Sequence, residues 1–252
     1  MISTKTDSEI KLMRYAGKVA YDLLELMETI IKPGVTTKHL NDVAKEFIIS
    51  KDCYPSCLGF EGYPASICTS VNESVVHEIP SKRKLKDGDI ITIDVVVEYK
   101  GYMADTARTY KVGNVKKEVE DLLIHTKEAL YKGLSVIKPG IILNEVCKTI
   151  ENVAKEYNYG VIRELTGHGI GKEMHEDPYI PNYSNNESNM VLKEGMTLAI
   201  EPMFSLKGRY VWLLEDDWTI VTQDKSPAAH FEHTIVVTKN GYEILTGEWI
   251  NG

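Results

Sequence analysis

The chain is 252 residues long, 43% hydrophobic and 26% charged, a balance that fits a globular protein with a sizeable core and excludes a disordered or fibrous one. Its formal net charge of −8 argues against bulk binding to DNA or RNA. No apolar run approaches the ~20 residues of a membrane span, so no membrane partner is expected.

The opening stretch Met1–Asp7 lacks a signal-peptide core, which reads as a cytoplasmic chain. Thr6 and Glu9 then have capping-box spacing ahead of a helical pattern. In that pattern Ile10, Met13, Ala16, Ala20, Leu23, Leu24 and Met27 recur at steps of three or four. Ile31-Lys32-Pro33-Gly34 should break the helix, because proline cannot continue it and glycine accepts unusual backbone angles. Leu40, Val43, Ala44, Phe47 and Ile48 predict a second helix. Cys53 and Cys57 have partial zinc-ligand spacing, but no second pair follows. Four cysteines in a chain of this length read as reduced thiols. The basic cluster Lys82, Arg83, Lys84 and Lys86 reads as a solvated turn.

Next comes Leu85-Lys86-Asp87-Gly88-Asp89-Ile90-Ile91-Thr92-Ile93-Asp94, a polar turn, an apolar strand and a carboxylate. The strand continues through Val95-Val96-Val97, turns near Tyr99-Lys100-Gly101 and returns through Asp105. A hairpin of that kind is expected to make Asp94 and Asp105 near neighbours across the ladder. Two acids so placed repel each other unless a proton or a cation lies between them.

A second pass through the same order follows, with the boundary near Val112–Lys117. Val119, Leu122, Leu123, Leu130 and Val136 predict a helix, Ile137-Lys138-Pro139-Gly140 repeats the breaker 106 positions after its first copy, and Leu143, Val146, Ile150, Val153 and Tyr157 predict another helix. Leu192-Lys193-Glu194-Gly195-Met196-Thr197-Leu198-Ala199-Ile200-Glu201 repeats the turn–strand–carboxylate pattern at an offset of 107. A period this long indicates a duplicated half-domain rather than a solenoid. The halves run from about residue 1 to 115 and from 116 to 252, within one domain. Two acids at matching offsets suggest one site built from both halves, with a metal ion as the natural counter-charge. His168, between glycines in Thr166-Gly167-His168-Gly169-Ile170-Gly171, sits where backbone can approach a ligand closely. Taken alone, His77 and His175 read as structural histidines, and Glu232 as a surface strand residue.

Taken in order, several segments resemble type I methionine aminopeptidases of the short bacterial kind: Cys57–Pro64, Val71-Asn72-Glu73, His77-Glu78-Ile79-Pro80, the Asp94/Asp105 pair, Gly167–Gly171, His175–Pro178, Glu201-Pro202-Met203 and Glu232-His233-Thr234. The resemblance spans nearly the whole chain. It implies an α+β pita-bread fold: two halves related by a pseudo-two-fold axis, with a curved, mainly antiparallel sheet covered by helices. It implies two divalent metal ions (Co, Mn, Fe, Zn or Ni) on Asp94, Asp105, His168, Glu201 and Glu232, with Asp105 and Glu232 bridging. One imidazole among carboxylates favours Mn(II), Fe(II) or Co(II) over structural zinc. By the same resemblance Glu201 shuttles a proton, His175 polarises the scissile carbonyl and His77 orients the amide. Cys57, Phe60, Tyr63, Cys68, Met174 and Trp218 line a methionine pocket. A monovalent cation near Asn72 and Ser74 is also implied. The substrates would be nascent-protein N-termini with a small second residue, and the enzyme would be a monomer, with ribosome contact as a further implication.

Glu61 and Glu78 depart from the family pattern, which often has His and Gly there, and both place added negative charge near the expected cleft. Competing readings are a prolidase- or creatinase-like hydrolase, a pita-bread binding module without metals, and a mononuclear iron oxygenase. The intact ligand set speaks against the binding module. The excess of acids over imidazoles speaks against the oxygenase.

Overall fold

Residues 3–247 are described by a computed structural model; the first two residues of the opening stretch, and the last five of the second half, lie outside them. Helix α1 spans Asp7–Ile30, and the expected capping box forms: the Thr6 side chain accepts from the Glu9 amide while Glu9 reaches back to the Thr6 amide. Its apolar stripe packs Met13, Ala16, Ala20, Leu23 and Met27 into the core. Helix α2 is Thr37–Ile49, α3 is Lys117–Ser135 and α4 is Leu143–Tyr157. Both Ile-Lys-Pro-Gly segments fall between paired helices, as the spacing predicts.

The repeat is visible in the hydrogen bonds. The Gly34 amide donates to the Leu85 carbonyl at 2.8 Å, and the Gly140 amide donates to the Leu192 carbonyl at 2.9 Å. The Leu85 amide returns to Val35 and the Leu192 amide to Ile141. Each breaker is thereby tied to the turn that starts its own carboxylate-bearing strand. Each helix pair then covers its own apolar cluster, α1 and α2 over Ile91, Ile93 and Val95, α3 and α4 over Leu198, Ile200 and Ile235.

In the first half, strand Ile90–Tyr99 pairs antiparallel with Tyr102–Lys111 on one edge and with Cys68–Val71 and Tyr54–Pro55 on the other. In the second half, a five-stranded antiparallel sheet runs Gly241–Ile244, His233–Thr238, Thr197–Ile200, Thr166–Gly169, Glu176–Pro181. Met203–Ser205 pairs separately with Ala228–His230 and Gly160–Val161. The halves are joined edge to edge by threonines. Thr234 Oγ1 accepts from the Asp105 amide at 2.9 Å and donates to the Asp105 carbonyl at 2.8 Å. Thr109 Oγ1 does the same for the His230 amide and carbonyl, both at 2.9 Å. Thr106 Oγ1 donates to the Glu232 carbonyl, and the Glu232 amide donates to the Ala107 carbonyl. This seam fixes the backbones of Asp105, His230 and Glu232 before any side chain meets.

Candidate metal centre

The hairpin turn is centred between Lys100 and Gly101, both at positive φ (50° and 81°), the backbone that a tight two-residue hairpin requires. Asp94 therefore faces Ala107, and Asp105 faces Val96. The two acids are thus diagonal neighbours on the same face, near neighbours across the ladder as the hairpin reading expects. That separation is still within reach of two carboxylates.

His168 lies on Thr166–Gly169, where the strands approach too closely for side chains on either side of it. A Cβ at Gly167 would sit 2.4 Å from the Ala199 carbonyl oxygen, and one at Gly169 would sit 2.2 Å from that of Asp177. His168 Nδ1 lies 2.8 Å from the Gly169 carbonyl oxygen, which can only accept, so Nδ1 carries the proton. Nε2 is left as a bare lone pair, 3.8 Å from Asp105 Oδ2 and 3.5 Å from Glu201 Oε1. Lone pairs facing lone pairs at that distance need a proton or a cation between them.

Burial pushes Asp94 above its ordinary carboxylate range. Asp105, Glu201 and Glu232 are driven well above it, first by burial and then by the neighbouring carboxylates. Burial holds His168 down at about 4, which keeps its imidazole neutral. Asp105 Oδ1 and Glu232 Oε1 are buried without a hydrogen-bond partner among the described residues. Ligand atoms of Asp105, His168 and Glu232 lie within 4.8 Å of one another. Uncompensated buried oxygens beside a fixed imidazole lone pair fit a hard divalent cation.

The cluster lines a cavity of about 250 Å³, with Asp94, Asp105, His168, Glu201 and Glu232 in the wall together with His77 and His175. His77 adopts φ 61°, a strained conformation for a residue with a Cβ; burial, then His230 and His175, depress it to about 4. His175 is also lowered by burial. Its ring meets His168 edge-on at 4.5 Å and Phe60 edge-on at 5.4 Å. Beyond Phe60, the residues Cys57, Tyr63, Cys68 and Met174 form one buried apolar cluster, with Phe60 and Trp218 against it. Tyr63 and Trp218 meet edge to face at 5.0 Å. All six residues expected around a methionine side chain are thus assembled together, and His175 stands between them and the carboxylates.

The Glu78 carboxylate does not face this cleft. It accepts from the Val71 amide at 2.8 Å and pairs with Arg83 at 3.0 Å, which corrects the expectation of added negative charge there. It also draws Arg83 out of the basic cluster that the sequence reads as wholly solvated. Glu61 keeps its influence, because its charge acts on His175 and opposes the effect of burial. Near the expected monovalent-cation position, Asn72 is occupied with the fold: its amide donates to Asp89 at 2.9 Å, its side-chain oxygen accepts from the Ile90 amide, and its carbonyl accepts from Ala228.

Sequence reasoning overlooked His230, which is buried with Nε2 3.5 Å from Glu201 Oε2 and 3.9 Å from Glu232 Oε2. The available signal was its position two residues before Glu232, since alternate residues of an extended chain share a face.

Residues 11–239 match Metallopeptidase family M24, and the chain belongs to that family. Within it, the chain is 46% identical to methionine aminopeptidase 1 of Bacillus subtilis over 98% of this chain and 99% of that one. It superposes on the crystal structure of methionine aminopeptidase from Rickettsia prowazekii with a TM-score of 0.96 and 44% identity, covering 98% of this chain and 100% of the other. An Xaa-Pro dipeptidase from Bacillus anthracis is more distant, with a TM-score of 0.76 and 26% identity, and this chain covers 62% of it. The fold is therefore the pita-bread fold expected from the resemblance.

Proposed function

We propose that this metalloaminopeptidase removes an N-terminal methionine from peptides and nascent proteins, preferring a small second residue. The observation that carries the reading is the adjacency of a charge-free cluster of aromatic and sulfur side chains and a buried carboxylate–imidazole cluster, with the His175 ring packed edge-on between Phe60 and His168. Asp94, Asp105 and Glu232 would hold one divalent ion; Asp105 and Glu232 would share a second with His168 and Glu201. Such ions, when bound, lower the pKa of a shared water and make it a nucleophile near neutral pH.

The chain's own groups then divide the work. Glu201 takes the proton from the water and passes it to the leaving amine. His175, neutral because it is buried, offers an N–H to the oxygen of the scissile carbonyl as charge develops there. His77, held beside it by its left-handed backbone, orients the amide nitrogen. The acidic surroundings favour a free α-amine, which restricts cleavage to the first residue. Two ions, the choice among Mn(II), Fe(II) and Co(II), action in the cytoplasm as a monomer, and a single catalytic domain with halves meeting near residues 115–116 belong to the same reading.

A prolidase-like activity is favoured less, because the aromatic and sulfur side chains clustered beside His175 suit an unbranched thioether. The test is release of methionine from Met-Ala-Ser and of the first residue from a Xaa-Pro dipeptide. Methionine release should disappear on chelation and return with Mn(II) or Co(II). Full activity in metal-free protein would reject the reading.

A further inference from the structure

His230 has no place in the proposed ligand set, yet its surroundings make it part of the centre. It is 1% exposed. Its backbone amide and carbonyl are both held by Thr109 Oγ1, and its strand is paired with Met203. Neither ring nitrogen has a hydrogen-bond partner among the described residues. An imidazole always carries at least one N–H, so a buried donor stands without an acceptor, a condition that native proteins avoid unless the site has a further occupant.

The acceptors stand just beyond bonding distance. Glu201 lies between two imidazoles, with Oε1 3.5 Å from His168 Nε2 and Oε2 3.5 Å from His230 Nε2. Glu232 Oε2 is 3.9 Å from the same His230 nitrogen. His168 cannot donate from Nε2, because its proton is committed to the Gly169 carbonyl through Nδ1. No carbonyl fixes the His230 tautomer, so its Nε2 is free to carry the proton. The two imidazoles are thus chemically opposite: one shows Glu201 a lone pair, the other can show it an N–H.

We propose that His230 is a positioning residue of the metal centre, donating Nε2–H to Glu201 Oε2 so that Oε1 is turned toward the ion beside His168, with Glu232 Oε2 as its second acceptor. A sub-ångström closure brings the Glu201 distance to hydrogen-bond length. The inference rests on the reading of this cluster as a two-ion centre. Hydrogen-bonded neighbours of metal-bound carboxylates set the orientation of those carboxylates and the affinity of the site.

The experiment is a calorimetric Mn(II) titration of chelator-treated wild type, His230→Gln, His230→Leu and His230→Asn at one pH, with cobalt X-ray absorption on the same proteins. Glutamine keeps an N–H at similar reach; leucine removes it; asparagine carries its amide too short to meet Glu201. Leucine and asparagine should each weaken the weaker-bound of two ions by about 10–100-fold, and glutamine should restore affinity to near the wild-type value. Turnover should fall in kcat with KM little changed. Absorption spectra should report one imidazole per two ions, with or without His230. If the leucine variant does not fold, the asparagine variant carries the comparison. Wild-type affinity in both of these variants would overturn the inference while leaving the two-ion reading intact. Two imidazoles in wild type falling to one without His230 would make it a direct ligand and overturn the positioning role. Wild type that takes up no ion would overturn both readings.

Discussion

The ten-residue pattern ending in Asp94 and the one ending in Glu201 begin alike and finish differently. Each turn makes the same pair of hydrogen bonds: Gly88 donates to Val112 and Val112 back to Asp89, while Gly195 donates to Val237 and Val237 back to Met196. After the carboxylate the copies part. Val95-Val96-Val97 continue the first strand to Tyr99, so Asp94 sits mid-ladder opposite Cys68, at the edge of the apolar pocket. Pro202 has no amide to give the second ladder, which stops at Ile200, and Glu201 falls at the break between two sheets. There it meets His168 on one side and His230 on the other. The turn decides where the acid falls; the next residue decides whether it stays mid-ladder or stands at a break between sheets.

Substitutions at the two acids break that comparison most severely. Asp94→Asn should abolish ion-dependent methionine release and remove one ion from a metal titration. Glu201→Gln, which keeps the size but not the base, should lower kcat by roughly 10²–10⁴-fold. Retention of full turnover in either variant would separate the acids from the chemistry. His77→Ala should lower kcat by about 10²-fold or more while both ions stay bound; loss of an ion would make His77 a ligand.

The pH dependence tests the electrostatics of both copies together. Asp94, Asp105, Glu201 and Glu232 have folded pKa values raised above their unfolded ones. Their contribution to ion-free stability is therefore present below the unfolded carboxylate pKa and lost as pH rises through the raised values. His77 and His168, lowered to about 4, act oppositely: their contribution is full above about 6.5 and lost as pH falls through about 4. Ions must displace the carboxylate protons, so Mn(II) affinity should fall as pH is lowered, with proton release on binding. A pH-independent affinity would mean that the acids are already ionised in the ion-free fold. At the pocket, Trp218→Ala should raise KM severalfold, the loss of one aromatic contact worth about 1 kcal/mol, with kcat nearly unchanged. An unchanged KM would take Trp218 out of the pocket.

The smallest effect compares the turns themselves. Gly88 and Gly195 have φ of 92° and 83°, so alanine is strained at both, by about 1–3 kcal/mol. A Cβ at Gly195 would also lie 3.1 Å from the Lys5 carbonyl and 3.2 Å from Thr4, whereas one at Gly88 meets only Asn114 at 3.5 Å. Urea unfolding should therefore show Gly195→Ala as the more destabilised variant. The reverse order would mean that the N-terminal stretch yields freely.

Features that depend on local chemistry were legible in the sequence. The capping box of α1, the two helix breakers and the repeated carboxylates all follow from residue type and spacing. The assembly of the pocket came from the resemblance alone, since each of its residues by itself reads as ordinary core. What spacing missed was set by backbone angle or by contact between halves. The register of the Asp94–Asp105 hairpin depends on the left-handed turn at Lys100-Gly101. The one signal for His230 was its place two residues before Glu232; its direction is imposed by Thr109, distant in sequence. Glu78 reads as a cleft charge until Arg83 and the Val71 amide are seen to hold it.

The central claim is that acids from both halves, together with His168, hold two divalent ions at the seam. Anomalous diffraction from crystals of the Mn(II)-loaded protein tests it directly. Two peaks should appear, both within coordination distance of Asp105 and Glu232, one reached also by Asp94 and the other by His168 and Glu201. No peak at the seam, or manganese held by residues of one half alone, would contradict it.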